Sequence, residues 1–271
     1  MRSKLAILCA VGLALSLGAG ATLAAAPEPD DPWPELARDV FKGRPLVDGT
    51  GVIAIEMPYR AEDAAIVPVT LRSTLPAGDT RAVKTITLVI DQNPSPVAAT
   101  FTIDPGVTMI STRVRVNSYT NVHAVAELSD GSLHVVQTYV KASGGCAAPA
   151  ARDTQEAKAN LGLMRFRQFA APKPAAASTT REAQIMIRHP NNSGLQMDQV
   201  THLYVPLFIV DGLRVWQGDQ LLLAMDGGIS ISEDPNIRFA FRPSGAAAFR
   251  AEARDTDGHV FRAEWPADQE M

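Results

Sequence analysis

The stretch VKTITLVIDQNPSPVAATFTIDPG, residues 83–106, decides the fold. Ile86, Leu88 and Ile90 alternate with Thr85, Thr87 and Val89, and a second alternating run follows at 97–103. A period of two sends successive side chains to opposite faces, the pattern of a half-buried strand. Asn93-Pro94-Ser95-Pro96 lies between the runs and Asp104-Pro105-Gly106 after them. Proline presets φ, glycine accepts positive φ, and Asp or Asn closes a local turn, so both segments reverse the chain. The same grammar repeats outward. Runs at 52–58, 66–73, 109–117, 122–129 and 133–140 read as strands, with turn chemistry at Pro76-Ala77-Gly78-Asp79 and Ser129-Asp130-Gly131. Ahead of them, Asp31-Pro32-Trp33-Pro34-Glu35 opens a short helix to Phe41, with Asp31 as N-cap and Leu36, Val40 and Trp33 as its buried stripe. Gly43 ends it.

Seven short strands at even spacing, with no helical pattern between them, predict an antiparallel sandwich of immunoglobulin type. The Cys-Trp-Cys signature of antibody domains is absent, so only the architecture is shared. A second β pattern follows, with strands expected at 183–188, 201–210, 213–216, 221–225, 229–232, 237–241, 247–255 and 259–264. Asp211-Gly212, Gly218-Asp219, Asp226-Gly227-Gly228 and Asp257-Gly258 are its expected turns. In between, 150–160 reads as helical or without fixed structure. Residues 163–169 read as an edge strand, with Met164 and Phe166 on one face and Arg165 and Arg167 on the other. Residues 170–180 have linker composition. The expected class is all-β: two immunoglobulin-like antiparallel sandwiches, at 27–146 and 181–271, joined by an Ala/Pro-rich linker at 147–180, with a short N-terminal helix.

Residues 1–26 have the form of a cleaved signal peptide: Arg2 and Lys4, an apolar core at 5–17, then Ala24-Ala25-Ala26. This predicts a periplasmic protein that loses Cys9. Losing Arg2 and Lys4 moves the net charge from −4 to −6. A mildly acidic chain without a basic run speaks against nucleic acid or an anionic membrane as partner. After residue 26 no apolar run is long enough to span a bilayer.

Cys146, in KASGGCAAPA at 141–150, is then the one remaining thiol. Ser143, Gly144 and Gly145 before it and Ala147, Ala148 and Pro149 after it supply almost no apolar bulk, which predicts an exposed thiol on a thin, flexible arm. Five extended residues on either side would lift it up to roughly 17 Å from its anchors. A thiol enzyme would need a base and an orienting group. His123, His134, His189, His202 and His259 are available in number, but none has a spacing that points to such a pair or to a metal set. No CxxC serves thiol–disulfide exchange. Glu233-Asp234 reads as a solvated loop rather than a Ca²⁺ site, and Asn191-Asn192-Ser193 as a chance glycosylation sequon. The pairs Arg113/Arg115 and Arg165/Arg167 read as the wet side of a sheet. No catalytic residue, metal or cofactor is expected. The chemistry left to the chain is covalent carriage on Cys146.

Several motifs, taken in order, resemble the SoxY carrier of bacterial thiosulfate oxidation: AEDAAIVPVTLR at 61–72, NPSPVAATF at 93–101, AVAELSDG at 124–131, then the Gly-Gly-Cys arm. IMIRHPNNSGLQMD at 185–198 and FRAEW at 261–265 resemble SoxZ. The resemblance implies a non-catalytic carrier whose Cys146 holds sulfur intermediates, with Gly144 and Gly145 as the hinge and the two domains paired within one chain. Ala147-Ala148 stand where SoxY arms end in Gly-Gly, and the chain continues into the second domain. In this it looks closer to SoxYZ-like carriers that accompany quinoprotein dehydrogenases. The implied partners are periplasmic oxidoreductases, either of Sox type or a quinoprotein (PQQ) dehydrogenase working with a cytochrome c. The alternative is an adaptor for such a dehydrogenase, with an incidental thiol.

Overall fold

The computed structural model describes residues 31–149, 159–169 and 180–267. The expected signal peptide with Cys9, the segment 150–158 and the linker residues 170–179 lie outside the described residues. Helix α1 (Trp33–Val40) forms as expected, but Pro32, not Asp31, is its N-cap, and no side chain caps it. The fixed φ of proline suits the entry into a first turn.

The strands form two sheets. One has nine strands in the order β1 (Leu46–Asp48), β8 (Leu133–Val140), β7 (Thr120–Leu128), β4 (Val83–Ile90), β5 (Val97–Ile103), β12 (Gln220–Gly227), β11 (Val210–Gln217), β14 (Ala248–Asp255) and β15 (Val260–Pro266). The other has six, in the order β2 (Ile53–Glu56), β3 (Val67–Ser73), β6 (Met109–Val114), β13 (Asn236–Phe241), β10 (Arg181–Ile187) and β9 (Met164–Phe169). Every pairing between these strands is antiparallel except the short β1–β8 contact, and an isolated Arg60–Lys141 bridge is also parallel. The chain is mostly β with one short helix, as two immunoglobulin-like domains require.

The two halves meet strand to strand. Strand β5 pairs with β12 from Ile103 opposite Leu223 to Ala99 opposite Gly227. Strand β6 pairs with β13 from Met109 opposite Ala240 to Ser111 opposite Arg238. Separated, the N-terminal half would leave β5 and β6 as bare edges and the C-terminal half β12 and β13, with unpaired N–H and C=O groups that invite association. Joined, they give two continuous sheets over one continuous core that runs from Val52 to Ala253. Val67, Val69 and Leu71 of β3, Leu88 and Ile90 of β4, and Phe239 and Phe241 of β13 are all buried in it. Each such side chain stabilises the fold by ~1.5–3 kcal/mol.

Helix α1 covers the outer face of the nine-stranded sheet, which is why Val89 and Val125 are buried although they point away from the main core. Trp33 stacks on the His123 ring at 3.6 Å, and His123 is held between Asp91 Oδ1 at 2.9 Å and Gln137 Oε1 at 2.8 Å.

Several expected elements differ. Residues 201–209 form no strand; only the bridges Asn192–Phe208 and Met197–Tyr204 occur there. Pro206 lacks the donor a ladder needs. Ile231 makes one bridge, to Val114, in place of the strand expected at 229–232. Asp211-Gly212 is no turn but part of β11, where a register shift absorbs it and Asp211 pairs with Arg254. Gly218-Asp219 and Asp257-Gly258 do join β11 to β12 and β14 to β15.

Candidate functional site

The arm after β8 lies in the seam between the two halves. Residue 116 begins its receptor: the Val116 N–H donates to the Ala64 carbonyl at 2.9 Å, leaving the Val116 and Asn117 carbonyls facing the arm. Gly144 donates to the Asn117 carbonyl at 2.9 Å, and Gly145 to the Val116 carbonyl at 3.0 Å. Gly144 has φ +79° with open space where a Cβ would stand, a conformation that glycine adopts without strain. Gly145 is required for a different reason. A Cβ there would lie 2.0 Å from the Ala64 carbonyl oxygen and 2.7 Å from that of Val116.

The arm's own carbonyls are gripped from the other side. Arg115 Nη1 donates to the Gly145 carbonyl at 3.2 Å, the Ser193 hydroxyl to that of Cys146, and Gln196 Nε2 to that of Ala148 at 3.1 Å. Ser193 and Gln196 belong to the C-terminal half, and Gln196 Oε1 also accepts from the Ser193 N–H at 2.8 Å, so they act as one clip. Behind the clip, Asn191 is fully buried with φ +44°. Its Nδ2 donates to the Ile231 carbonyl at 3.2 Å, its Oδ1 accepts from the Val210 N–H at 3.0 Å, and its carbonyl accepts from Arg115 Nη2 at 3.4 Å.

Cys146 is buried, with 0% of its surface exposed, which overturns the expectation of a solvent-facing thiol. The small neighbours in sequence do not wall it in. They let the arm lie flat against Ala64 and Val116, with its carbonyls held by Arg115 and the Ser193 clip. Burial pushes the thiol up to about 11, an effect the nearby Arg115 guanidinium partly offsets. In this position the sulfur is a protonated thiol at neutral pH, and a protonated thiol is a poor nucleophile.

Arg115 departs from expectation as well: it is 1% exposed, not on a wet face. Strand β6 ends at Val114, so alternation lapses and Arg115 and Val116 are both buried. The histidines supply no base. His123, His134 and His189 are buried, and no histidine among the described residues is hydrogen-bonded to Cys146. The His189 Nδ1 accepts from the Asn191 N–H at 3.1 Å, which leaves the ring hydrogen on Nε2, 3.5 Å from Asp255 Oδ2. Burial pushes His189 down, so the ring is neutral. Asp234 is not a free loop carboxylate: it accepts from Arg188 at 2.6 Å and from the His189 N–H at 3.1 Å. No cluster able to hold a metal ion occurs among the described residues.

Gln196, Asn93 and Ala64 are site residues that the sequence did not mark out, while Arg115 and Ser193 were marked with other readings, a wet strand face and a chance sequon. Ser193 and Gln196 stood inside the HPNNSGLQMD motif, but their target was not visible in it.

Comparison with known proteins agrees with the two halves of the fold. The family model "Sulfur oxidation protein SoxY" matches residues 37–146, ending on Cys146, and "Sulphur oxidation protein SoxZ" matches 169–266. Among solved structures, the sulfur carrier protein SoxY from Chlorobium limicola f thiosulfatophilum is 27% identical over 41% of this chain and 94% of its own, with a TM-score of 0.34. A superoxide reductase (neelaredoxin) from Ignicoccus hospitalis is 13% identical over 33% of this chain and 79% of its own, with a TM-score of 0.30. No curated protein matches the chain. The two matches fall in order on the two halves of the joined sandwich: the chain is a SoxY domain followed by a SoxZ domain in one polypeptide.

Proposed function

We propose that this chain is a periplasmic covalent carrier, in which Cys146 is the attachment point for sulfur-type intermediates and Gly144 with Gly145 form the hinge of the arm. SoxY and SoxZ domains are those of non-catalytic carriers in sulfur oxidation, and here they are paired within one chain. The observation that carries the reading is the way the thiol is sealed. Cys146 is closed into the seam by a segment that brings no side-chain bulk and is held by a few hydrogen bonds, each worth about 0.5–1.5 kcal/mol net. Such a segment lifts out as a loop without disturbing either sheet. Docked, it protects the sulfur; lifted, the thiol regains an ordinary acidity and reacts.

Joining the lifted thiolate to a second sulfur nucleophile forms an S–S bond and releases two electrons, which a partner oxidoreductase must accept. The partners are therefore periplasmic oxidoreductases of Sox type or, given the fused GGCAAP arrangement, a quinoprotein dehydrogenase with its cytochrome c. Intact-mass measurement on protein taken from cells tests the reading. A reducible adduct on Cys146 that Cys146→Ser abolishes supports the carrier. A clean mass, together with full cellular activity of Cys146→Ser, supports the adaptor instead.

The docked thiol also sets a pH signature. An acid whose pKa is raised by docking stabilises the docked arm below its undocked pKa, ordinarily near 9, and loses that contribution as pH rises through about 11. Alkylation of Cys146 proceeds through the lifted thiolate. Its rate should keep climbing close to tenfold per pH unit beyond pH 9 and level off only towards pH 11. A plateau at pH 9, as for a free cysteine, would show that the arm is not docked in solution.

A further inference from the structure

Arg115 is a buried cation with no ion-pair partner among the described residues. Among the described residues its guanidinium donates to two carbonyls, Gly145 at 3.2 Å and Asn191 at 3.4 Å. Its Nε is buried with no hydrogen-bond partner. No carboxylate among the described residues lies within ion-pair distance, and Glu233 and Asp63 act on it only from farther away. A buried charge is normally paired, because desolvation costs several kcal/mol per ion. Cys146 directly follows the Gly145 whose carbonyl the guanidinium holds, and the guanidinium favours a negative charge on its sulfur.

We propose that Arg115 makes the docked pocket selective for charge on Cys146, so that the pocket holds anionic sulfur adducts of the persulfide or S-sulfonate class more tightly than a neutral thiol or a neutral adduct. The proposal rests on the carrier reading and adds a consequence to it. The seam is then the binding site of the loaded arm and not only a shelter for the empty one. An anion completes the coordination of the orphaned guanidinium, and the arm redocks after loading. An arm carrying a neutral group gains nothing from Arg115 and stays lifted for longer.

Two adducts of nearly equal size and different charge separate these effects. Iodoacetate and iodoacetamide each replace the Cys146 proton by a carbon substituent, with iodide leaving. The first leaves a carboxylate near the sulfur and the second a neutral amide. Hydrogen exchange of the 141–149 peptide in the full chain then reads how firmly the arm is docked. The carboxymethyl protein should show arm protection at least tenfold greater than the carbamidomethyl protein, and Arg115→Gln should reduce that ratio to near one. Arg115→Lys keeps the charge and should retain part of the ratio, which covers the case in which Arg115→Gln fails to fold. Equal protection of the two adducts in the parent protein, whether both docked or both lifted, overturns the proposal. That result would leave the carrier reading intact, since the carrier reading is judged by the adduct found on protein from cells.

Discussion

Gly145→Ala is expected to expose the Cys146 thiol, raising its alkylation rate by about two to three orders of magnitude and lowering the stability of the fold by no more than the docking free energy it forfeits, ~3–4 kcal/mol. The added Cβ would stand 2.0 Å from the Ala64 carbonyl oxygen, 2.6 Å from its carbon and 2.7 Å from the Val116 oxygen. These are backbone atoms, and Val116 is tied to Ala64 by its own hydrogen bond at 2.9 Å. No side-chain rotation relieves the contact, so the arm must move. Leaving the seam forfeits its bonds to Val116, Asn117, Arg115, Ser193 and Gln196. At ~1 kcal/mol each, several such bonds amount to a factor of 10² or more in the docking equilibrium. The sheets do not depend on the arm and keep their ladders. Gly144→Ala is the control. It meets nothing within 4 Å but must keep φ at +79°, a strain of about 1 kcal/mol, or roughly a fivefold faster reaction. If Gly145→Ala reacts no faster than the parent, the arm does not rest on the Ala64–Val116 wall.

The contrast between these two glycines also marks how far the sequence could be read. Strands rich in β-formers and bounded by turns were legible: residues 97–103 and 133–140 are β5 and β8 to the residue. Local pattern reports local structure, and there nothing overrides it. The burial of Cys146 was not legible, because the groups that hold its arm come from residues 64, 115–117, 193 and 196, and no window of sequence contains them together. The same holds for Arg115, whose place on a wet face followed from alternation that in fact stops one residue earlier, at Val114. Apolar content without a free sheet edge misled in the opposite direction. Val200, Leu203, Tyr204 and Leu207 lie on the exposed loop that follows the Ser193 clip, not in a strand. The resemblance implied that the two halves pair, but the strand-to-strand form of that pairing was invisible. An edge strand and a central strand can carry the same sequence pattern, and only the β5–β12 and β6–β13 partners distinguish them.

Asn93 was read as part of a turn, yet it is where the arm's receptor and the second domain are fastened together, and its loss should be felt in both. Its Nδ2 donates to the Arg115 carbonyl and to Ser230 Oγ, each at 2.8 Å, and its Oδ1 accepts from the Asn117 N–H at 2.8 Å. One side chain therefore holds both ends of the 115–117 segment that receives Gly144 and Gly145, and ties that segment to the C-terminal half. Asn93→Leu keeps the size and removes all three bonds in a site that is 4% exposed. Leaving buried partners unsatisfied costs about 1–3 kcal/mol per group, so a total of ~4 kcal/mol is expected. That is a large share of the ~5–15 kcal/mol that stabilises a typical domain, and it should lower Tm by about 8–16 °C for a chain of this size. The variant should also label faster at Cys146, because its receptor is loosened. Ser230→Ala removes one of the three bonds and should cost only ~1 kcal/mol with little effect on the arm. In Gly145→Ala the stability lost is no more than the docking free energy read from the labelling rate, whereas Asn93→Leu loses stability beyond what its labelling accounts for. A calorimetric scan showing Asn93→Leu within two or three degrees of the parent would mean that the seam is fastened by the sheet pairings alone, and that Asn93 only closes a turn.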